Sequence, residues 1–241
     1  MSAEMKQKKA AKGASGRASA KLAKSKPSLL TEPPKGRGLV TYEKLMQAAG
    51  ELLGEVGFER LSTNAICARA GLTPPALYRY FRDKYDVLEA LARRLLKRQN
   101  DAFAAWFLKG GTWADPSHRA ASLEDWFRKS AEVTSSEPGA IWTLRALRAL
   151  PILAHIRLES QRQTTDQMFE FYRRLYPDIP PQVLWCRVRV VAEFGFVVDE
   201  FALEEDRVPP DLLFHEAARV LGIPYDYEPP GSKPLSAKFP R

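Results

Sequence analysis

Cysteine and histidine are both scarce in this chain of 241 residues, which contains two of the first and three of the second. Neither Cys67 nor Cys186 has a second cysteine or a histidine at the spacing of metal ligands. The sequence therefore predicts neither a disulfide framework nor a metal site, and we interpret both cysteines as reduced core residues. A chain of this length can bury a substantial core without cross-links.

Long hydrophobic runs are missing as well. No stretch of about 18 apolar residues occurs, and no apolar stretch follows the lysine-rich N-terminus, so we expect neither a membrane span nor a secretory signal. The histidines stand far apart, and the chain has no nucleophile elbow or phosphate-binding glycine loop. We therefore expect no cofactor and no catalysis. An enzyme stays open as the alternative, because a missing motif excludes little.

Positive charge is concentrated at the start of the chain. Residues 1–40 hold ten basic and two acidic side chains, whereas the remainder holds 27 of each. This asymmetry predicts that a polyanionic partner meets the N-terminal part. Residues 1–38 consist largely of Lys, Ala, Ser, Gly and Pro, which favours a disordered basic arm. Its Lys35-Gly36-Arg37-Gly38 segment is either a solvated linker or a hook for the minor groove of DNA.

Two short helices joined by a tight turn are predicted between Leu61 and Lys84. Ser62 is suited to cap the first helix, and Gly71 is suited to end it in the left-handed conformation. Thr73 is expected to cap the second helix, with Pro74 in its first turn. These signals indicate a helix-turn-helix, a motif that enters the major groove of DNA.

The second helix of this motif is expected to present a polar face. Leu77 and Phe81 lie four residues apart and should face inward. The positions left outward are Ala76, Tyr78, Arg79 and Tyr80. Arg79 could pair with guanine through two hydrogen bonds. The alternatives are tyrosines that pack between helices and an arginine that is merely solvated.

Helical spacing also predicts the neighbouring elements. A brace helix should precede the motif from Thr41 to about Glu55, and Asp83 should cap a long helix that ends near Phe107. Five further helices, separated by prolines, are expected at residues 122–133, 140–150, 153–176, 181–205 and 209–221. Arginine and valine alternate in residues 186–191 as polar and apolar residues do in a strand, but the longer helical pattern around them favours a helix.

The Leu77-Tyr78-x-x-Phe81 pattern, the Asp83-Lys84 start of the long helix and the helical second half resemble the TetR family of bacterial repressors. The resemblance implies an all-α chain of about nine helices. Behind the arm we expect a helix-turn-helix DNA-binding domain at 39–100, whose first three helices form the head. A helical ligand-binding and dimerisation domain should follow at 101–223, with a loose tail at 224–241.

The resemblance also assigns roles by position. The positions that it assigns to phosphate contacts are Thr63, Asn64, Tyr78 and Lys84. The face that meets base edges and adjoining phosphates falls to Thr73, Pro74, Pro75, Ala76 and Arg79. Many relatives carry Lys-Gly-Thr or Ser-x-Thr before the Leu-Tyr pair, whereas here Pro74-Pro75-Ala76 removes two backbone donors and a hydroxyl. Specificity is therefore expected to rest more heavily on Arg79 and Tyr80.

Two further sites are expected in the second half. Residues suited to an apolar effector pocket are Trp126, Trp142, Ile152, Ile156, Met168, Phe169 and Tyr172, with Arg145 or His155 as a polar anchor. Residues 183–201 are apolar on nearly all sides, which predicts a dimer interface through Val190, Phe194, Val197 and Phe201. Gly195 marks either a close approach of two backbones or a plain structural glycine. Ordinary core or surface positions are the alternative for every residue of these two sites.

Together these expectations describe a cytoplasmic, nucleoid-associated homodimer that regulates transcription. The resemblance implies a repressor that binds a palindromic operator in double-stranded DNA and is released by a small, apolar effector. The alternative is a nonspecific or architectural DNA-binding protein driven by the basic arm.

Overall fold

The structure, a computed structural model, describes residues 34–109 and 116–221. Over those residues it contains nine α-helices and no strand, so the predicted all-α class is confirmed. The predicted tail and nearly all of the predicted arm lie outside the described residues. The helices are α1 (Arg37–Arg60), α2 (Thr63–Ala70), α3 (Pro74–Tyr78), α4 (Lys84–Lys109), α5 (Pro116–Ser135), α6 (Ala140–Ala149), α7 (Ala154–Leu175), α8 (Pro181–Glu204) and α9 (Pro210–Leu221).

Capping residues set the boundaries of the first helices, as predicted. Ser62 Oγ accepts a hydrogen bond from the backbone N–H of Ala65 at 3.2 Å, and Gly71 ends α2 at φ 64°. Asp83 Oδ1 accepts hydrogen bonds from the backbone N–H groups two and three residues further on, at 2.8 and 3.0 Å, which fixes the start of α4. The brace helix α1 begins at Arg37 rather than Thr41, so it includes the end of the predicted arm.

The largest apolar core joins the DNA-binding helices to the second half of the chain. It contains buried residues of α1 to α4 together with Leu144 and Leu147 of α6 and Ile156 of α7. Two smaller clusters fill the second half, one around Tyr172 and one around Phe127. Because α6 shares the core of the head, the boundary predicted near residue 100 falls inside a continuous helix and beside a continuous core.

Two glycines allow α1 and α6 to approach closely. Gly139 precedes α6 at φ 70°, and a Cβ placed there would fall on the carbonyl oxygen of Gly50 in α1. A Cβ on Gly50 would lie 2.6 Å from the carbonyl oxygen of Pro138. Both positions therefore exclude side chains, because contacts this short are not tolerated in packed interiors.

Replacing Gly139 with alanine is expected to destabilise the protein by about 2 to 3 kcal/mol. The variant combines a left-handed backbone that costs about 1 kcal/mol for an L-residue with a steric clash against α1. Gly71→Ala is the matched control, because Gly71 has the same backbone conformation but a Cβ there would meet nothing within 4 Å. Urea denaturation should show a clearly larger loss for Gly139→Ala. Equal losses would contradict the close packing.

The two cysteines differ in their surroundings. Cys67 is buried in the head, where desolvation raises the pKa of its thiol. Cys186 is exposed on α8, so the prediction that it lies in the core is wrong. The reason is that α8 has apolar residues on its outer as well as its inner face, and Cys186 lies on the outer face.

None of the helices in the described part of the chain combines the length and the hydrophobicity that a membrane span needs.

Candidate nucleic-acid interface

The helix-turn-helix consists of α2, a glycine turn and the five-residue helix α3. Leu77 and Phe81 face inward with exposed fractions of 0% and 2%, and Ile66 of α2 is buried beside them. Thr73 occupies the N-cap position of α3, but its side chain makes no capping hydrogen bond, contrary to expectation. The prolines that follow have no N–H to offer, and the N–H of Ala76 bonds to the backbone oxygen of Thr73 instead.

The outer face of α3 is exposed where the sequence predicts contact with DNA. Thr73, Pro74, Pro75, Tyr78 and Arg79 are exposed, and Ala76 is half-buried. Tyr78 is held in place from the other helix, since its hydroxyl lies 3.3 Å from Oγ1 of Thr63. Asn64 is exposed at the start of α2. The arrangement presents a row of hydroxyls, rings and one guanidinium along a surface that is fixed by the core beneath it.

Tyr80 does not belong to this face, so its predicted outward placement is wrong. Its side chain is 6% exposed, packs edge-on against Tyr42 and donates a hydrogen bond to the backbone oxygen of Gly38 at 3.2 Å. The helix ends at Tyr78, and the chain turns at the next two residues. Helical spacing therefore no longer decides the direction of Tyr80, which packs onto α1 and fixes its first turn.

Lys84 performs a structural task that the sequence does not reveal. Its Nζ donates hydrogen bonds to the backbone oxygens of Phe58 and Glu59 at 3.1 and 3.3 Å, and it lies 4.4 Å from the centre of the Phe58 ring. It thus links the end of α1 to the start of α4. The contact with phosphate stays a prediction for this half-buried side chain.

The basic residues around the motif differ in how far they are neutralised. Arg69 pairs with both oxygens of Glu55 at 2.8 and 2.7 Å, and this hydrogen bonding lowers the pKa of Glu55. Arg82 pairs with Asp86, which is buried. Arg79 has no acidic partner among the residues that the structure describes. Its guanidinium is therefore available to an external anion or a base edge.

Known proteins share this arrangement. The family model described as bacterial regulatory proteins, tetR family, matches residues 45–91, which run from the middle of α1 into α4. The DNA-binding head is therefore of the TetR type. The class C tetracycline repressor of Escherichia coli is 43% identical over 54 residues, which are 22% of this chain and 25% of that repressor. The chain thus spans about a quarter of the length of this TetR-family relative.

Solved structures extend the likeness in fold to the helical second half. The fatty acid degradation regulator FadR from Bacillus halodurans superposes with a TM-score of 0.60 at 15% identity, over 78% of this chain and 96% of that one. A SmeT–triclosan complex gives 0.54 at 21% identity, over 76% and 88% of the two chains. The described residues therefore adopt the TetR fold throughout.

The second half of the chain contains an apolar cavity of about 50 Å³ between α4, α5, α7 and α8. Its apolar wall is formed by Phe103, Trp106, Trp126, Phe127, Met168 and Phe196. Its polar wall is formed by Gln99, Asn100, Ser130, Thr164 and Asp199. Gly195 also lines it, and a Cβ there would meet nothing within 4 Å, so none of the described residues approaches closely enough to require this glycine.

Most residues predicted for the effector pocket lie elsewhere. Trp126 and Met168 line the cavity, whereas Tyr172 and Phe169 belong to the neighbouring core cluster. Trp142 packs on Gly57 of the head, and Arg145 covers its ring and pairs with Glu204. His155 lies on an open surface beside Arg93. Aromatic content alone misplaces Trp142, because α6 is packed against the head rather than against the cavity.

The polar wall of the cavity is buried and contains an acid. Asp199 is 3% exposed, and its Oδ2 accepts hydrogen bonds from Ser130 at 2.6 Å and Gln99 at 3.2 Å. Desolvation by burial raises the pKa of Asp199 to about 7. Sequence reasoning misses this site, because the 190–201 stretch contains Glu193, Asp199 and Glu200, and the sequence does not show which of them is buried.

The residues predicted for the dimer interface form an exposed stripe along α8. Val190, Phe194, Val197 and Phe201 are 47%, 48%, 39% and 43% exposed, at the spacing of one helix face. Leu212 and Val220 of α9 are exposed as well. Large apolar side chains in such a row mark a surface suited to association.

Proposed function

We propose that the chain is a sequence-specific DNA-binding regulator that represses transcription as a homodimer and responds to a small ligand. The observation that carries the proposal is the exposed outer face of α3, with Arg79 unpaired among the described residues and held over a buried core. The TetR type of the head supports DNA binding by this face. Such a protein would act in the cytoplasm on the nucleoid, without catalysis.

Base recognition rests on the few donors that this face offers. Pro74 and Pro75 contribute only apolar contacts, for instance to a thymine methyl group, so Arg79 is the residue best suited to read guanine. Tyr78, Thr63, Asn64 and Thr73 are suited to bond to phosphates, which fix the register of the helix without reading sequence. Tyr80 serves the site indirectly, because it fixes the start of α1 beneath the reading face.

The dimer places two such faces on one duplex. The exposed stripe on α8 is suited to pack against a second copy of the chain. With α9, which follows α8 in the sequence, each copy would contribute two helices to a four-helix bundle. Two heads related by a two-fold axis would read a palindrome whose half-sites are about one helical turn apart.

Ligand response is proposed for the cavity in the second half of the chain. SmeT was solved with triclosan, which supports a ligand-binding role for this part of the fold. A ligand that binds better to a form with the heads wrongly spaced would weaken operator binding.

Replacing Arg79 with alanine is expected to relax base preference at one position of each half-site, at a cost of about 1 to 3 kcal/mol in operator affinity. Lys84→Ala should weaken binding to all sequences alike, because a phosphate contact carries no base information. Arg173→Ala is the matched control, since this arginine is exposed on α7 far along the chain from the motif. Selection from random duplexes with each variant measures the preference.

Two results of that selection would contradict the proposal. An unchanged base preference in Arg79→Ala would remove Arg79 from the reading face. If the unaltered protein bound scrambled duplexes as tightly as selected ones at the same salt concentration, binding would be driven by the basic arm.

A further inference from the structure

The cavity wall contains two buried acceptors without partners. Oδ1 of Asp199 and Oε1 of Gln99 are both shielded from solvent and make no hydrogen bond within the described residues, and both residues are only 3% exposed. The amide nitrogen of Gln99 is already engaged, since it donates to Thr134 and to Oδ2 of Asp199. Buried acceptors left in this state cost stability, so they are suited to a ligand that donates hydrogen bonds.

The surroundings of Asp199 provide no positive charge. The groups that face it from the neighbouring helices are Gln99, Ser130 and Thr134, all uncharged, and Glu200 beside it on α8 has the same sign as the carboxylate. None of the described residues that line the cavity is basic. A cation that entered would therefore favour the ionised form of Asp199 and pair with it.

The remaining walls suit an aromatic body attached to that cation. Trp126 lies 5.1 Å from Phe103 and 5.0 Å from Trp106, measured between ring centres, so several ring faces and edges surround the free space. Indole faces attract cations as well as apolar groups. Since an apolar cavity that holds benzene has a volume of about 150 Å³, this cavity of about 50 Å³ must widen as a ring enters.

We propose that this cavity binds a small aromatic amine in its protonated form, with the ammonium group bonded to Asp199 and Gln99 and the ring among the tryptophans. The inference rests on the proposed function, in which the cavity is the effector site. Because the side chains of the walls must move to admit the ring, occupation of the cavity would displace α4 and α8 relative to each other.

The test uses benzylamine, benzyl alcohol and toluene as probes with the full-length protein. Calorimetry should show benzylamine binding at least about tenfold more tightly than the two neutral compounds, as expected for a charge-assisted hydrogen bond in a buried site. In Asp199→Asn this preference should vanish while toluene binding is retained, which also shows that the cavity is intact. Asp101→Asn is the matched control, because Asp101 is exposed on the outer side of α4 and makes only a surface pair with Lys97.

A proton count gives a second readout. With its pKa near 7, Asp199 is largely protonated at pH 6.5, and pairing with an ammonium group would favour the carboxylate. Benzylamine binding should therefore release a fraction of a proton, measured by calorimetry in two buffers of different ionisation enthalpy. Asp199→Asn should release none.

The outcomes separate the two proposals. No benzylamine binding at 10 mM, or equal binding by the unaltered protein and Asp199→Asn, would overturn the amine site and leave DNA recognition untouched. Tight benzylamine binding that leaves affinity for the selected duplex unchanged would support the amine site and contradict its role as the effector site. Tight benzylamine binding that also weakens binding to the selected duplex would support both the amine site and its role as the effector site.

Discussion

Replacing Phe194 with glutamate is expected to convert the proposed dimer to a monomer and to lower operator affinity at least about 100-fold. Phe194 lies at the middle of the exposed stripe on α8 and is 48% exposed in the single chain. A glutamate there would place two carboxylates near the two-fold axis of an apolar interface, where neither has a partner. The second head then binds as a separate molecule rather than at high effective concentration, which accounts for the loss in affinity.

The measurement combines analytical ultracentrifugation with fluorescence anisotropy on the selected duplex. Leu175→Glu is the matched control, because Leu175 is similarly exposed at 40% but lies outside the stripe. Circular dichroism should show unchanged helix content in both variants, since Phe194 is not part of the folded core. A Phe194→Glu protein that remains dimeric, or that binds operator as before, would rule out this face as the interface.

Asp199→Asn is expected to remove a component of up to about 4 kcal/mol from the pH dependence of stability. The pKa of Asp199 is raised by burial from 3.8 to about 7 in the folded protein. Between about pH 4 and pH 7 the folded protein therefore binds more protons than the unfolded chain, and the free energy of unfolding falls as the pH rises through this window. The upper limit follows because a pKa that differs by one between the folded and unfolded states corresponds to about 1.36 kcal/mol.

The variant should thus be more stable than the unaltered protein at pH 8 and gain little at pH 4. An asparagine can still accept from Ser130, and its amide can donate to the unpartnered oxygen of Gln99. Chemical denaturation from pH 4 to pH 8 measures the difference, at one protein concentration because the proposed dimer would contribute to stability. Asp101→Asn serves again as control, with an unchanged slope. Parallel curves for Asp199→Asn and the unaltered protein would show that Asp199 is ionised in the fold without penalty.

The sequence predicts elements whose determinants are local. Ser62, Gly71 and Asp83 each fix a helix end through bonds within four residues, and the structure confirms all three. Prolines separate the helices of the second half for the same kind of reason. Burial, in contrast, depends on which helices meet. The outward prediction for Tyr80 is wrong because the path of the chain after α3 is set by packing on α1, not by the helical period.

The candidate effector site shows more strongly that burial cannot be predicted from local sequence. Trp142 and Arg145 have the composition of a ligand pocket, but the glycine contact between α1 and α6 draws their helix toward the head. Asp199 escapes a search that uses apolar character as the criterion for a pocket. The informative signal is the opposite one, the acids Glu193, Asp199 and Glu200 inside an otherwise apolar stretch, of which the fold buries only Asp199.

Helix α4 is long enough to convert a small tilt at the cavity into a larger displacement of the head. Its 26 residues extend over about 39 Å, with Lys84 bonded to the head at one end and Phe103 in the cavity wall about 28 Å away. A tilt of about 5° about the cavity end would carry the head sideways by about 2 Å. Because α6 shares the core of the head, the two would swing as one block. In the proposed dimer the displacements of both heads would add, so a helix of this length would convert the entry of a single ring into a misfit of both heads on the DNA.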